Sequence, residues 1–143
     1  MNTAAHHAPP LWQLLQACAQ AVQAVRSGRS LTAQLEAVPA GLRPGTQALS
    51  FHVLRQLGRA TALRGQLAKK APPAAADALL CTALALAWDD ALAPYPVHTL
   101  VNQAVEAARR QRQTQGQAPF INACLRRFLR ERETLVAATE GDV

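Results

Sequence analysis

Twelve of the fifteen lysines and arginines in this chain fall in two windows that contain no acid. The first, between Glu36 and Asp77, holds Arg43, Arg55, Arg59, Arg64, Lys69 and Lys70. The second, between Glu106 and Glu131, holds Arg109, Arg110, Arg112, Arg126, Arg127 and Arg130. Clustered guanidinium and ammonium groups neutralise phosphates, and such segregation is how a polyanion-binding face reads in sequence. The plainer account is a solvated arginine surface in a composition biased towards Ala, Leu and Arg. The net charge of +6 and the isoelectric point near 10.3 bear on partners and solubility, not on fold.

Other reactive residue types are present without the company that catalysis needs. Asp89 and Asp90 form a carboxylate pair, but they lie at a helix end before a proline loop, where a solvated turn is the expected reading. His6 and His7 are adjacent and have no further ligand near in sequence, whereas zinc needs three or four in geometry. His52 and His98 are single histidines on expected helices, placed as surface or satisfied core residues. No glycine-rich phosphate loop, G-x-S-x-G, H-E-x-x-H or C-x-x-C occurs. No catalytic residue and no metal site is therefore expected, and a binding module is the better reading. Cys18, Cys81 and Cys124 are odd in number, far apart and set among apolar neighbours. Buried thiols in a reducing, cytoplasmic compartment explain them better than disulfides.

The elements that must carry these residues are helices. Half the residues are apolar, alanine and leucine dominate, and strand-forming β-branched and aromatic residues are scarce. A length of 143 residues fits one domain with one core. The all-α expectation is about six to seven helices over residues 11–137, between a flexible start at 1–10 and a flexible tail at 138–143. Leu11 to Arg26 keeps the i, i+3, i+4, i+7 pattern, and Gly28 suits its end. Ser30 is placed to cap a short helix, Leu31 to Val38. A helix from Thr46 to Gly58 is expected to break there before a shorter one, Arg59 to Lys69. Ala74 to Trp88 has almost no polar face and belongs at the centre of a bundle. Val97 to Arg110 and Pro119 to Arg132 follow, separated by the polar loop at 111–118. In the last helix Phe120, Ile121, Cys124, Leu125, Phe128 and Leu129 form one stripe, with Arg126, Arg127, Arg130 and Arg132 off it. No apolar run reaches the roughly 18 residues of a membrane span, and the start has no signal-peptide pattern.

Three motifs in order resemble the NusB-like helical domain, the fold of NusB antitermination factors and of the N-terminal part of RsmB-type rRNA cytosine-C5 methyltransferases. FHVLR at 51–55 is similar to Y-G-V-L-R, with His52 in place of glycine. PVHTLVNQAVEAAR at 96–109 is similar to P-x-H-x-x-V-N-E-A-V-E-x-A-K, with Gln103 where glutamate is usual. PFINACLRRF at 119–128 resembles F-[IV]-N-G-V-L-R, with Ala123 in place of glycine. The resemblance spans about 11–137. For Asn102 and Asn122 the physical expectation is a structural role, their amides tying helix starts to loop backbone.

Met1 to Val25 contain no arginine or lysine, unlike the RNA-binding start of NusB itself, so the resemblance leans to the methyltransferase branch. It implies an RNA-binding domain, without activity of its own, that helps a longer enzyme dock on ribosomal RNA. S-adenosylmethionine would then be held only by a catalytic domain outside these 143 residues, and this chain would hold no cofactor. Arg55, Arg59, Lys69, Lys70, Arg109, Arg110, Arg112, Arg126, Arg127 and Arg130 are the expected phosphate contacts, on a monomer with no membrane partner. The rival readings are a protein–protein module, packed on the catalytic domain or a ribosomal protein, and a stand-alone transcription antitermination factor. With aromatics at 4%, little base stacking is available, so weak sequence preference is expected.

Overall fold

The computed structural model describes residues 8–141, and the His6–His7 pair lies outside them. Among the described residues the fold is all-helical: α1 (Leu11–Arg26), α2 (Leu31–Ala37), α3 (Arg43–Leu67), α4 (Ala74–Ala87), α5 (Val97–Arg109) and α6 (Ala118–Gly141), with one 3-10 turn at Gln115–Gln117. The centre is α4, against which α1, α3, α5 and α6 all pack. Its residues from Ala78 to Ala87 are all buried, as its near-continuous Ala/Leu sequence requires. The one polar side chain in that run, Thr82, is satisfied by donating to the Ala78 carbonyl at 2.7 Å. Leu15, Val22, Val53, Leu63, Leu100, Ile121, Leu125 and Phe128 close around it.

Helix ends follow local chemistry. Gly28 adopts φ +85°, and Arg29 N–H donates to Ala24 C=O at 2.9 Å while Gly28 N–H donates to Val25 C=O at 3.0 Å. This paired closure of α1 uses a left-handed residue, which glycine supplies without a Cβ penalty. Ser30 Oγ accepts from Ala33 N–H at 3.3 Å and caps α2. Arg43 then closes the other end of α2, donating to the carbonyls of Leu35, Glu36 and Val38. Asp77 is held by Arg26 of α1 and Arg64 of α3, each at 3.0 Å, so one carboxylate ties three helices.

Two expectations need correction. The break at Gly58 is absent, and α3 runs unbroken for 25 residues. Gly58 is exposed with open space around it, so it needs only its ordinary helical conformation. The last helix also runs well past Arg132, turning at Glu131 (φ −116°, ψ 22°) and continuing to Gly141. The tail expected over 138–143 is therefore helical through Gly141, with Thr139 buried and donating to Leu135 C=O at 2.9 Å. Sequence periodicity missed this because the second stripe, Leu135, Val136 and Thr139, is offset by the turn.

Candidate nucleic-acid interface

Arg126, near the start of α6, is fixed by two amides. Its Nε donates to Asn122 Oδ1 at 3.2 Å, one turn earlier, and its Nη2 donates across to Asn102 Oδ1 of α5 at 2.7 Å. Guanidinium has donors only, so both amide oxygens must face it, and both amide nitrogens keep their N–H groups for another partner. Asn102 and Asn122 therefore position an arginine, not the loop backbone expected from sequence. Arg110, at the end of α5, pairs with Glu106 and lies over the Trp12 ring of α1 at 4.4 Å. The Trp12 backbone N–H in turn donates to Gln103 Oε1 at 3.0 Å. These residues and Arg109 line an open groove of about 470 Å³ between α1, α5 and α6. It is rich in donors, with Glu106 the one carboxylate among its lining residues. Such a site accommodates phosphate oxygens and the carbonyl acceptors of bases.

The other flank of α6 carries a second cationic group. Arg127 follows Arg126 and so points about 100° away around the helix axis. It reaches Leu67 C=O at the end of α3 (3.4 Å), beside the exposed Lys69 and Lys70, and pairs with Glu131. Arg130 is exposed one turn further along α6, and Arg112 is exposed in the loop after α5. The first half of α6 thus brings together Arg109, Arg110 and Arg126 on one flank and Lys69, Lys70 and Arg127 on the other, with Arg130 on the same stretch.

Arg59 does not join them. It pairs with Glu140 at 3.0 Å and stacks over Trp88 at 3.9 Å. Glu140 is thirteen residues beyond Arg127, or about 20 Å along the helix. The acid-free window was misleading here because the neutralising acid comes from the far end of the chain. Arg55 is exposed but lies twelve residues, about 18 Å, up α3 from Leu67. It depresses the pKa of neighbouring His52 below the usual histidine value, second to the effect of burial.

Three arginines of the sequence turn out to end helices or pin the core. Besides Arg43 and Arg64, Arg132 donates to the carbonyls of Ala87 (2.8 Å) and Trp88 (3.1 Å) at the end of α4 and pairs with Asp90 at 2.6 Å. Asp89 Oδ1 accepts from Ala91 N–H at 2.9 Å, so the carboxylate pair makes the turn read from sequence, and adds an ion pair that was not foreseen. The Arg132 hydrogen bond holds the Asp90 carboxyl below the usual range, which suits an anion and not a general acid. The three cysteines are free and buried; burial raises all three thiol pKa values, that of Cys18 to about 11. Among the described residues no group of three or more His, Cys, Asp or Glu could hold a metal ion, and no helix is long and apolar enough to cross a membrane.

The groove residues that sequence reasoning missed are Trp12, Gln103 and Glu106. Only Glu106 left a signal, its i, i+4 spacing to Arg110. A sequence model described as the NusB family matches residues 12–130. A search of curated proteins finds no match.

Proposed function

The chain belongs to the NusB family, and on that premise we propose that it is a non-catalytic RNA-binding domain. The observation that carries the reading is the gathering of Arg109, Arg110 and Arg126 with two amides in one donor-rich groove, flanked along α6 by Lys69, Lys70, Arg127 and Arg130. Within the family, a start without arginine or lysine over residues 1–25 favours the finer reading, a docking domain that helps an rRNA cytosine-C5 methyltransferase engage ribosomal RNA. Phosphate contacts of this kind position a strand and make affinity depend on salt. Titration of the chain with a structured rRNA fragment tests this. The logarithm of affinity should fall linearly with the logarithm of salt, with a slope of roughly −0.7 to −0.9 per phosphate engaged. Binding that barely changes between low and moderate salt would sink the electrostatic account.

A second reading draws on the other end of α6. There Trp88, Val136 and Ala137 line a depression together with Asp89, Asp90, Glu133 and Glu140, four carboxylates against the single cation Arg132. Half apolar and acidic, it is unsuited to phosphate and suits a protein neighbour, such as a catalytic domain or a ribosomal protein. A stand-alone antitermination role predicts tight pairing with a ribosomal protein, which a pull-down with purified candidates separates from docking within an enzyme.

A further inference from the structure

The face of α1 turned away from the core carries Gln13, Gln16, Gln20 and Gln23, at steps of three, four and three. That spacing keeps the four within roughly 80° of arc. Residues Leu11 to Val25 contain no charge at all, whereas the exposed faces of α3, α5 and α6 carry arginines. Other elements extend the same chemistry. Gln34 of α2 joins Gln13, Gln16 and Gln20 around one depression, and joins Gln20, Gln23 and Arg29 around a second. Gln111 and Gln113 of the loop after α5 join Gln20 and Gln23 around a third. None of the three is lined by a carboxylate or an ammonium group.

Gln16 is committed, its Nε2 donating to Ala107 C=O at 3.1 Å. Gln13, Gln20, Gln23, Gln34, Gln111 and Gln113 make no side-chain hydrogen bond among the described residues, so six amides each keep a donor pair and an acceptor. Cations bound the stripe on both sides. Arg29 lines the α2 flank beside Gln20, Gln23 and Gln34, while Arg109, in the groove with Trp12, and Arg112, between Gln111 and Gln113 in sequence, belong to the α5 flank. None of the three has an ion pair among the described residues. At its Trp12 end the stripe meets the donor-rich groove.

Neutral amides between unpaired cations match a single strand with its phosphates at the rims and its bases between them. We propose that the glutamine stripe of α1, with Gln34, Gln111 and Gln113, reads the base edges of single-stranded RNA. This rests on the RNA-binding reading above and replaces the weak sequence preference expected from composition. A glutamine amide pairs bidentately with an adjacent donor and acceptor on a base. Adenine offers such a pair on both its Watson–Crick and Hoogsteen edges, and unstacked strands leave both open. Adenylate is therefore the favoured occupant.

The test uses the full chain and three fluorescein-labelled twelve-residue strands of equal charge, namely oligoadenylate, oligouridylate and an abasic strand, followed by anisotropy at fixed salt. Oligoadenylate should bind roughly tenfold tighter than the abasic strand. Both Q20A/Q23A and Q111A/Q113A should reduce that ratio to within about twofold, with abasic binding and the salt slope unchanged. Alanine keeps α1 in the first variant, and circular dichroism confirms the fold of both. Equal binding of all three strands by the wild type, still weakened by salt, overturns base reading and leaves the phosphate account standing. No binding of any strand at low salt overturns both. A preference for adenylate untouched by either variant places base reading elsewhere and overturns the proposal. So does a concentration-dependent dimer lost in Q20A/Q23A with RNA affinity unchanged, which would make the stripe a protein contact.

Discussion

Arg132 sits outside both acid-free windows, and its sequence position on the polar flank of α6 suggested only surface. Its guanidinium instead covers the last carbonyls of α4, the helix on which the core depends. Removing it leaves those acceptors without a protein partner, and hydrogen bonds to charged groups contribute about 1.5–3 kcal/mol. Arg132→Ala should therefore lower unfolding free energy by about 1–3 kcal/mol in urea titration, with the denaturant slope unchanged. His52 supplies a pH signature. Its folded pKa lies below the ordinary 6.5 because burial, and then Arg55, disfavour the charged ring. The unfolded chain takes up the proton first, so this site leaves stability full above about 6.5 and erodes it as pH falls through the folded value. NMR titration should place the His52 midpoint below 6.5, and His52→Gln should flatten the stability profile over that window. A midpoint at or above 6.5 would remove the basis of this expectation.

Most helices could be read from apolar spacing because each has one side on α4. Where that reading failed, the reason is physical. Glycine is weak evidence for a helix end when nothing else stops the chain, and Gly58 lies mid-helix with no neighbour within 4 Å of a built Cβ. Gly58→Ala should thus stabilise the protein by about 0.5–1 kcal/mol, read as a higher melting temperature. Destabilisation would mean that the helix is distorted there. Gly28, by contrast, was legible as an end because a polar Ser-Gly-Arg-Ser stretch interrupts the apolar pattern at the same point. The length of α6 was not legible, because the turn at Glu131 resets the phase of its buried stripe. Partners such as Trp12 for Arg110 and Glu140 for Arg59 lie far off in sequence, and no local spacing encodes them.

Charge counted along the chain and charge available on the folded body are different quantities. Arg59 is offset by Glu140 and Arg64 by Asp77, while Arg109 has no carboxylate partner among the described residues. Arg109 and Arg59 should separate in one experiment. Arg109→Ala should weaken RNA binding and make the salt slope about one unit shallower, whereas Arg59→Ala should leave affinity within about twofold. Equal losses in both would mean that the second half of α6 also meets the strand. The groove could be foreseen only in part. Sequence placed Arg109, Arg110 and Arg126 among the phosphate contacts, but the amides that hold Arg126 and the ring beneath Arg110 depend on how α1, α5 and α6 meet.

Arg43, Arg64 and Arg132 share a geometry as well as a charge, each forked guanidinium reaching a backbone carbonyl where a helix stops. Lysine has a single ammonium in place of that planar fork and could not span the same acceptors. Converting these three together would leave the electrophoretic behaviour of the protein nearly untouched while loosening the ends of α2, α3 and α4. Faster amide exchange in those last turns would then tell apart two proteins of identical formal charge.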